Sequence, residues 1–296
     1  ARWLVDGRNP LTPRVTINHV WSNLFGSGLV RTPNDFGVRG EAPTHPKLID
    51  WLAGELIQRN WSQKAMIKLI VTTATYRQAS FHRPALLEKD PDNKLIHRQN
   101  RFRVEAEIIR DLHLSASDLL TDQIGGPSVF PPLPAGVASL SYANNLKWNT
   151  SNNADRYRRG MYTFFKRTSP HPNLTTFDCP DSNITCVKRG RSNTPLAALA
   201  TLNNTVFTEA AKALAKRVLN EKTDEANRID YCFRLCVARP PTSSERAALA
   251  SLLNSARDYF RSHEAEAKSY NGNPNASAWA ATARIMLNMD EFIMRE

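Results

Sequence analysis

One short loop near the middle of the chain gathers the side chains best suited to acid–base chemistry. His171, Asp178, Cys179 and Asp181 lie within eleven residues, interrupted by prolines. Asp178 and Asp181 could act as an acid–base pair or bind a hard cation, with His171 as proton shuttle. Their spacing matches no zinc, calcium or hydrolase pattern, so no metal site is predicted. The alternative is structural: the two aspartates cap turns or pair with arginines.

The same part of the chain is strongly basic. Between Arg156 and Arg191, eight Lys and Arg stand against two Asp, a surplus of six out of the net charge of +11. This concentration indicates either a polyanion-binding face or arginines that tie an irregular insert to the surrounding helices. The candidate polyanion-binding residues are Arg158, Arg159, Lys166, Arg167, Lys188, Arg189 and Arg191.

Aromatic residues alternate with these cations from Tyr157 to Arg167, as in a stacking platform for nucleic acid or sugar. One face of a short strand must nevertheless be buried, so part of this tract is core. Nucleic acid is not the expected partner, because the run RGMYTFF departs from the RNA-binding strand signature and lacks its alternation of strands and helices.

Two further histidines and the four cysteines have structural explanations. His19 and His45 stand alone near the first two predicted helices, where a histidine is more often a satisfied structural group than a ligand. Cys232 and Cys236 share one face of a predicted helix and are expected in the core, whereas Cys179 and Cys186 flank a loop and could form a disulfide. No Cys-x-x-Cys-His sequence occurs, so no cofactor is expected in this segment.

The periodicity of apolar residues predicts a mainly α fold: a helical bundle-like domain in two helical halves with a central loop-rich insert containing a short β-hairpin. The halves are 1–120 and 194–296, and the insert is 121–193. Helices are expected to begin at Thr12 and Ser62, each as the N-cap of its helix, and at Pro46, with a longer helix over 103–120. In the insert, a proline-rich loop runs from 127 to 153, and a strand over 159–166 is expected to pair with 185–188. A capping box at Thr242–Glu245 opens a long C-terminal helix.

Composition places the chain among ordinary globular proteins. It has 296 residues, 41% hydrophobic and 23% charged, and no apolar run approaches the roughly 18 residues that span a bilayer. It opens at Ala1 directly into a folded-looking segment, so we expect it to be a piece of a longer protein.

Several stretches carry a family resemblance. Residues 11–53 read LTPRVTINHVWSNLFGSGLVRTPNDFGVRGEAPTHPKLIDWLA, followed by IVTTATYRQAS at 70–80, GGPSV at 125–129, YRRGMYTFFKRTSPHPNLTTFDCPD at 157–181 and TPLAALATLNN at 194–204. Together they resemble, essentially end to end, the C-terminal domain of unknown function of planctomycete and verrucomicrobial multidomain proteins. The resemblance implies an exported parent protein, in the periplasm or cell envelope, that often carries a planctomycete-type cytochrome c domain and therefore haem c outside this segment. It transfers no catalytic residues.

Two functions fit these observations. The first is an accessory or interaction module of an exported multidomain protein, which contacts other domains of that protein and an anionic partner, either a sulfated polysaccharide or a redox domain. The alternative is a polysaccharide-active enzyme that uses Asp178, Asp181 and His171. Whether the chain is an enzyme stays open at this point.

Overall fold

A computed structural model of the chain describes residues 1–134, 148–222 and 224–295. The predicted loop over 127–153 therefore lies partly outside the described residues. In the described ranges the chain is mainly α-helical, as predicted. None of the described helices is both long and apolar enough to cross a membrane.

The helices are numbered α1 to α13 in chain order. They are α1 (Thr12–Phe25), α2 (Pro46–Gln58), α3 (Gln63–Val71), α4 (Pro84–Leu87), α5 (Ala106–Ala116), α6 (Pro172–Thr176), α7 (Pro195–Asn203), α8 (Thr205–Glu221), α9 (Glu225–Val237), α10 (Ser243–Ser262), α11 (Glu264–Asn271), α12 (Pro274–Met286) and α13 (Asp290–Ile293). Two-residue strands β1 (Phe102–Arg103) and β2 (Met294–Arg295) form a two-stranded sheet. Short 3₁₀ turns occur at Arg2–Val5, Asn153–Tyr157 and Gly160–Tyr162.

The chain forms two compact units, each with its own apolar core. The first unit comprises residues 1–102, together with 186–188 and Arg295, and its core lies among α1, α2 and α3. Pro13 and Pro46 stand in the first turns of α1 and α2, where a missing amide hydrogen costs nothing. Ser62 caps α3 by accepting the amide of Ala65, as predicted. The cap of α1 differs from prediction, since Thr12 is already helical and Asn9 accepts its amide instead.

The second unit, residues 103–185 and 189–294, is centred on α8. A run of small and branched side chains on α8 is fully buried, including Ala210, Ala211, Leu214 and Ala215, and α8 packs closely against α12, which contributes Trp279 and Ala283. The predicted capping box at the start of α10 is present. The division between units falls at 102/103, whereas the sequence-based boundaries at 120/121 and 193/194 stay predictions about domain organisation.

The described residues form no strands at the two positions predicted for the insert hairpin, 159–166 and 185–188. Residues 160–162 form a 3₁₀ turn, no described strand covers 185–188, and the sheet joins β1 to β2 instead. Val129 forms an isolated parallel bridge with Thr163, and Phe164 donates its amide to the Val129 carbonyl. The alternation that suggested a strand is therefore extended chain against a loop, because Gly160 lies against the α5 backbone and turns the segment. A Cβ at Gly160 would come within 2.4 Å of the Glu107 carbonyl oxygen.

The long helix predicted over 103–120 is shorter. Arg103 belongs to β1, Glu105 precedes α5 in extended conformation, and the helix ends before Asp118, which has a φ of 61°.

Candidate functional site

Asp178, the first candidate acid, is held by a basic and polar cluster in the second unit. Its carboxylate accepts hydrogen bonds from the Arg103 guanidinium and from the amide and hydroxyl of Ser192, the amide at 2.7 Å. The Arg103 side chain is only 4% exposed and also donates to the carbonyl oxygens of Ser192 and Phe177. Asp178 thus completes a buried arginine's hydrogen bonds and ties the segment around 192 to the start of the unit.

The environment of Asp178 sets its protonation. Partial desolvation on its own raises the pKa of this carboxyl, but the hydrogen bonds from Ser192 and the charge and hydrogen bond of Arg103 outweigh it and leave the pKa below the ordinary value. A carboxylate stabilised in its ionised form is a poor general acid at neutral pH.

His171 is buried, 3% exposed, and both ring nitrogens are engaged. Nδ1 accepts the amide of Asn173 at 3.2 Å and so caps α6, which fixes the remaining ring proton on Nε2, the atom that faces the Pro132 carbonyl oxygen at 3.1 Å. Burial lowers the pKa of His171 to about 4, with the charge of Arg110 acting in the same direction. A neutral imidazole with both nitrogens bound to backbone has no free position for shuttling a proton.

Asp181, the third candidate, forms a local turn. It accepts hydrogen bonds from the amide and the side-chain amide of Asn183, at 3.0 and 2.8 Å, and these bonds lower its pKa. No hydrogen bond among the described residues joins Asp181 to Asp178 or to His171. The described residues also contain no cluster of three or more His, Cys, Asp or Glu side chains arranged to hold a metal ion.

The space beside His171 is small. A cavity of about 20 Å³ is lined by Arg110, Glu107, His171 and Asn173, among others. This volume accommodates about one water molecule and no sugar ring.

The arginines of the insert are bound mainly by acids from outside it. Arg156 makes a bidentate bond to Glu209 on α8, at 3.0 and 3.1 Å, and the Tyr157 hydroxyl binds the same carboxylate. Arg159 pairs with Asp111 on α5. Asp111 also accepts the amide of Gly160 at 2.6 Å. The carboxylates of α5 and α8 thus neutralise much of the charge that the insert shows in the linear sequence.

Arg189 is likewise paired with carboxylates from outside the insert. Its guanidinium lies 3.1 Å from Glu105 and 2.7 Å from Glu107. Arg191 is partly buried and engaged in an interaction of its own within the protein. These two candidates for polyanion binding are therefore already used, at least in part, by the fold.

Arg158 is removed from the polyanion-binding set, because it is 0% exposed. Its guanidinium donates to the carbonyl oxygens of Pro127, Gln123 and Gly125, and it lies 3.9 Å from the centre of the Tyr162 ring. A fully buried cation whose two terminal nitrogens donate to main-chain carbonyls organises the 123–127 loop and cannot reach a ligand in solvent.

Lys166 and Arg167 differ from these arginines because they lack a partner among the described residues. Arg167 is exposed and Lys166 is half-buried, and no acidic or hydrogen-bonding partner holds either side chain in the described residues. Next to them, Phe164 is 37% exposed and stacks on Phe130 with ring centres 4.9 Å apart. Lys188 is also exposed, but it groups with the first unit and is not part of this cluster.

All four cysteines are free, so the structure contains no Cys179–Cys186 disulfide. Cys232 is fully buried in the core, as predicted. Burial raises the pKa of Cys179 to about 11, with the neighbouring Glu107 carboxylate acting in the same direction. Cys179 is therefore a protonated thiol at neutral pH and not an activated nucleophile.

The sequence analysis missed the importance of α5. Glu105, Glu107 and Asp111 were not among the candidate residues, yet they bind Arg189 and Arg159 across 48 to 84 residues of sequence. Arg110 of the same helix is buried and donates to the Arg156 carbonyl at 2.6 Å, and its burial lowers its pKa to about 10. The usable signal was Gly160, since a glycine between bulky residues indicates a close backbone approach.

Comparison with known proteins identifies the family of the chain. No curated protein matches the chain, and no solved structure matches it. The family model described as Protein of unknown function (DUF1553) matches residues 1–253. This match covers most of the 296 residues and confirms the resemblance to a domain of unknown function. The chain therefore belongs to the DUF1553 family of proteins of unknown function.

Proposed function

We propose that this chain is an accessory interaction module that binds a sulfated polysaccharide, with Lys166 and Arg167 as the contacting cations. The observation that carries the proposal is the contrast within the insert: Arg156, Arg159 and Arg189 face carboxylates, whereas Lys166 and Arg167 have no partner in the described part of the chain. Unpaired cations that reach solvent are available to sulfate groups without breaking an internal ion pair.

The neighbouring aromatic ring favours a saccharide over a redox domain. Phe164 presents part of its ring to solvent and is held in place by stacking on Phe130, which itself contacts Trp148 with ring centres 5.1 Å apart. A rigid aromatic surface beside two cations suits a ligand with alternating apolar ring faces and anionic groups. A sulfated sugar has both features.

The same geometry gives less support to a polysaccharide-active enzyme. That alternative needs Asp178 and Asp181 as an acid–base pair with His171, but each of these groups is engaged in a separate set of structural hydrogen bonds. An exported parent protein with a neighbouring haem domain is compatible with the proposed binding role and belongs to the same proposal.

Heparin, as a soluble sulfated polysaccharide, provides the test. We expect isothermal titration at 50 mM salt to give a dissociation constant that rises about tenfold in the double variant Lys166→Ser/Arg167→Ser, since each lost contact weakens binding by roughly 0.5–1 kcal/mol. The matched control is Lys216→Ser/Lys268→Ser, which removes the same charge from α8 and α11 of the same unit. Equal weakening in both variants, or no heparin binding by the native chain, would refute the proposal.

A further inference from the structure

The first unit contains a cavity of about 250 Å³ whose walls are mostly apolar. Trp21, Leu52 and Ile70 form its buried side, at 5%, 2% and 2% exposure. A closed apolar cavity of about 150 Å³ is sufficient to bind benzene. The present cavity therefore has room for two fused rings, and it is the larger of the two cavities described in this unit.

The mouth of the cavity is also apolar. Trp51 is 51% exposed and Leu95 is 70% exposed, and both line the opening. Large apolar side chains at the rim of a hollow remain in contact with water unless a ligand covers them. The rim thus adds apolar area that a bound ring would bury.

Two polar side chains in the lining have hydrogen-bonding capacity to spare. Nδ1 of His45 lies 3.0 Å from the Thr44 hydroxyl, and Nε2 has no partner in the described ranges. The hydroxyl of Thr75 likewise has none. The remaining lining hydroxyl, Thr73, is already used, since it donates to the Ile70 carbonyl and accepts the Tyr76 amide. A polar group on a ligand would find its partners at His45 and Thr75.

The unit that contains the cavity carries a surplus of positive charge. Residues 1–102 contain 15 Lys and Arg against eight Asp and Glu, a surplus of seven of the net charge of +11. Lys47 lies one helical turn before Trp51 on α2, and is exposed without an acidic partner among the described residues. Lys64 and Lys68 form a like-charge pair four residues apart on α3, an arrangement that is slightly destabilising. The net charge of the unit therefore favours an anionic ligand.

We infer that this cavity binds a small aromatic carboxylate of one or two rings. The rings lie between Trp21, Leu52 and Ile70, the carboxylate is bound by His45 in the lining, and Lys47, one helical turn before Trp51, contributes positive charge. The site is in the first unit and uses none of the residues proposed for polysaccharide binding, so either proposal can fail without the other.

The probe is 2-naphthoate, with neutral 2-naphthol as its matched comparison. For a ligand of this size we expect a dissociation constant of about 0.1–1 mM for the carboxylate, measured by titration calorimetry on the full chain. We expect the neutral compound to bind at least threefold more weakly. Absence of binding at millimolar 2-naphthoate, or equal affinity for both compounds, would overturn the inference.

Two variants locate the site. Thr75→Trp places a large side chain at the mouth from an exposed position, and we expect it to weaken 2-naphthoate binding more than tenfold while leaving heparin affinity unchanged. Lys47→Met removes only the charge one helical turn from Trp51 and should weaken 2-naphthoate about threefold without affecting 2-naphthol, whereas Lys89→Met, at an exposed lysine outside α2, should change neither. Unchanged 2-naphthoate affinity in Lys47→Met and in a folded Thr75→Trp would also overturn it.

Discussion

The insert of the second unit and the helices of the first unit hold their positive charge in different ways. In the second unit, four of the insert's arginines, Arg156, Arg158, Arg159 and Arg189, bind carboxylates or carbonyl oxygens. In the first unit, lysines such as Lys47 and Lys64 stand exposed on helices with no acidic partner in the described residues. Arginine suits the first use because its planar fork binds several acceptors at once, and lysine suits the second because its ammonium stays hydrated.

This difference shows that the charge of a segment is not the charge available to a partner. The insert holds a surplus of six in the linear sequence, but partners that lie 53 residues away for Arg156 and 82 for Arg189 offset much of it. Among the described residues of the second unit's part of the insert, the cations without a partner are Lys166, which is half-buried, and Arg167, which is exposed.

The largest expected effect comes from the buried arginine. Arg158→Ala leaves three carbonyl oxygens of the 123–127 loop without their donor and removes the contact with Tyr162. We expect it to lower the free energy of unfolding by about 3–5 kcal/mol in urea denaturation. The control is Arg167→Ala, which should stay within about 0.5 kcal/mol of the native chain. Similar losses in the two variants would remove the distinction between structural and available arginines.

A second effect appears in the dependence of stability on pH. Burial lowers the pKa of both His113 and His171 to about 4, below the roughly 6.5 of an unfolded histidine. As pH falls through this interval the unfolded chain binds protons that the folded chain does not, so stability is full above about 6.5 and declines toward 4. Each histidine should contribute roughly 2–3 kcal/mol to that decline.

Urea denaturation at pH 7 and pH 4.5 tests the predicted decline of stability with falling pH. His171→Gln and His113→Gln should each lose less stability between the two pH values than the native chain does, whereas His19→Gln, at an exposed position, should show the native decline. An unchanged decline in both buried variants would mean that these imidazoles are already charged in the folded protein.

A smaller effect is expected at the candidate acids. Asp178→Asn should lower the free energy of unfolding by about 2 kcal/mol at pH 7, because Arg103 loses its ionised partner. The folded-state pKa of Asp178 lies below its unfolded value near 3.8, so this contribution is present above about pH 4 and is lost as pH falls through the folded-state pKa. Asp181→Asn should leave stability at pH 7 unchanged within error, since the group is fully exposed. Equal effects at the two positions would contradict the structural role of Asp178.

Much of the fold was predictable from local chemistry. The prolines at 13 and 46, the Ser62 cap and the Thr242–Glu245 box all mark helix starts, because each satisfies or dispenses with an orphan amide in its own first turn. These signals operate within four residues and need no knowledge of the rest of the chain.

The conformation of the insert was harder to predict because it depends on residues that are distant in the sequence. The alternation around Met161 and Phe165 predicted a strand, but Gly160 lies against the backbone of α5 and Asp111 accepts its amide, which produces a turn. The candidate residues Asp178 and His171 were found by composition alone. Their roles depend on Arg103 and Pro132, which lie 75 and 39 residues away in sequence, and no local pattern indicates such pairings.

The most direct test of the proposed binding role is the salt dependence of heparin affinity for the native chain and for Lys166→Ser/Arg167→Ser. Each cation that contacts sulfate displaces a counterion, so the slope of log Kd against log salt concentration should decrease by roughly one to two in the double variant. The Asp178→Asn variant should keep the native slope. A double variant with the native slope, or a native affinity that does not change with salt, would contradict the assignment of Lys166 and Arg167 as the contacting cations.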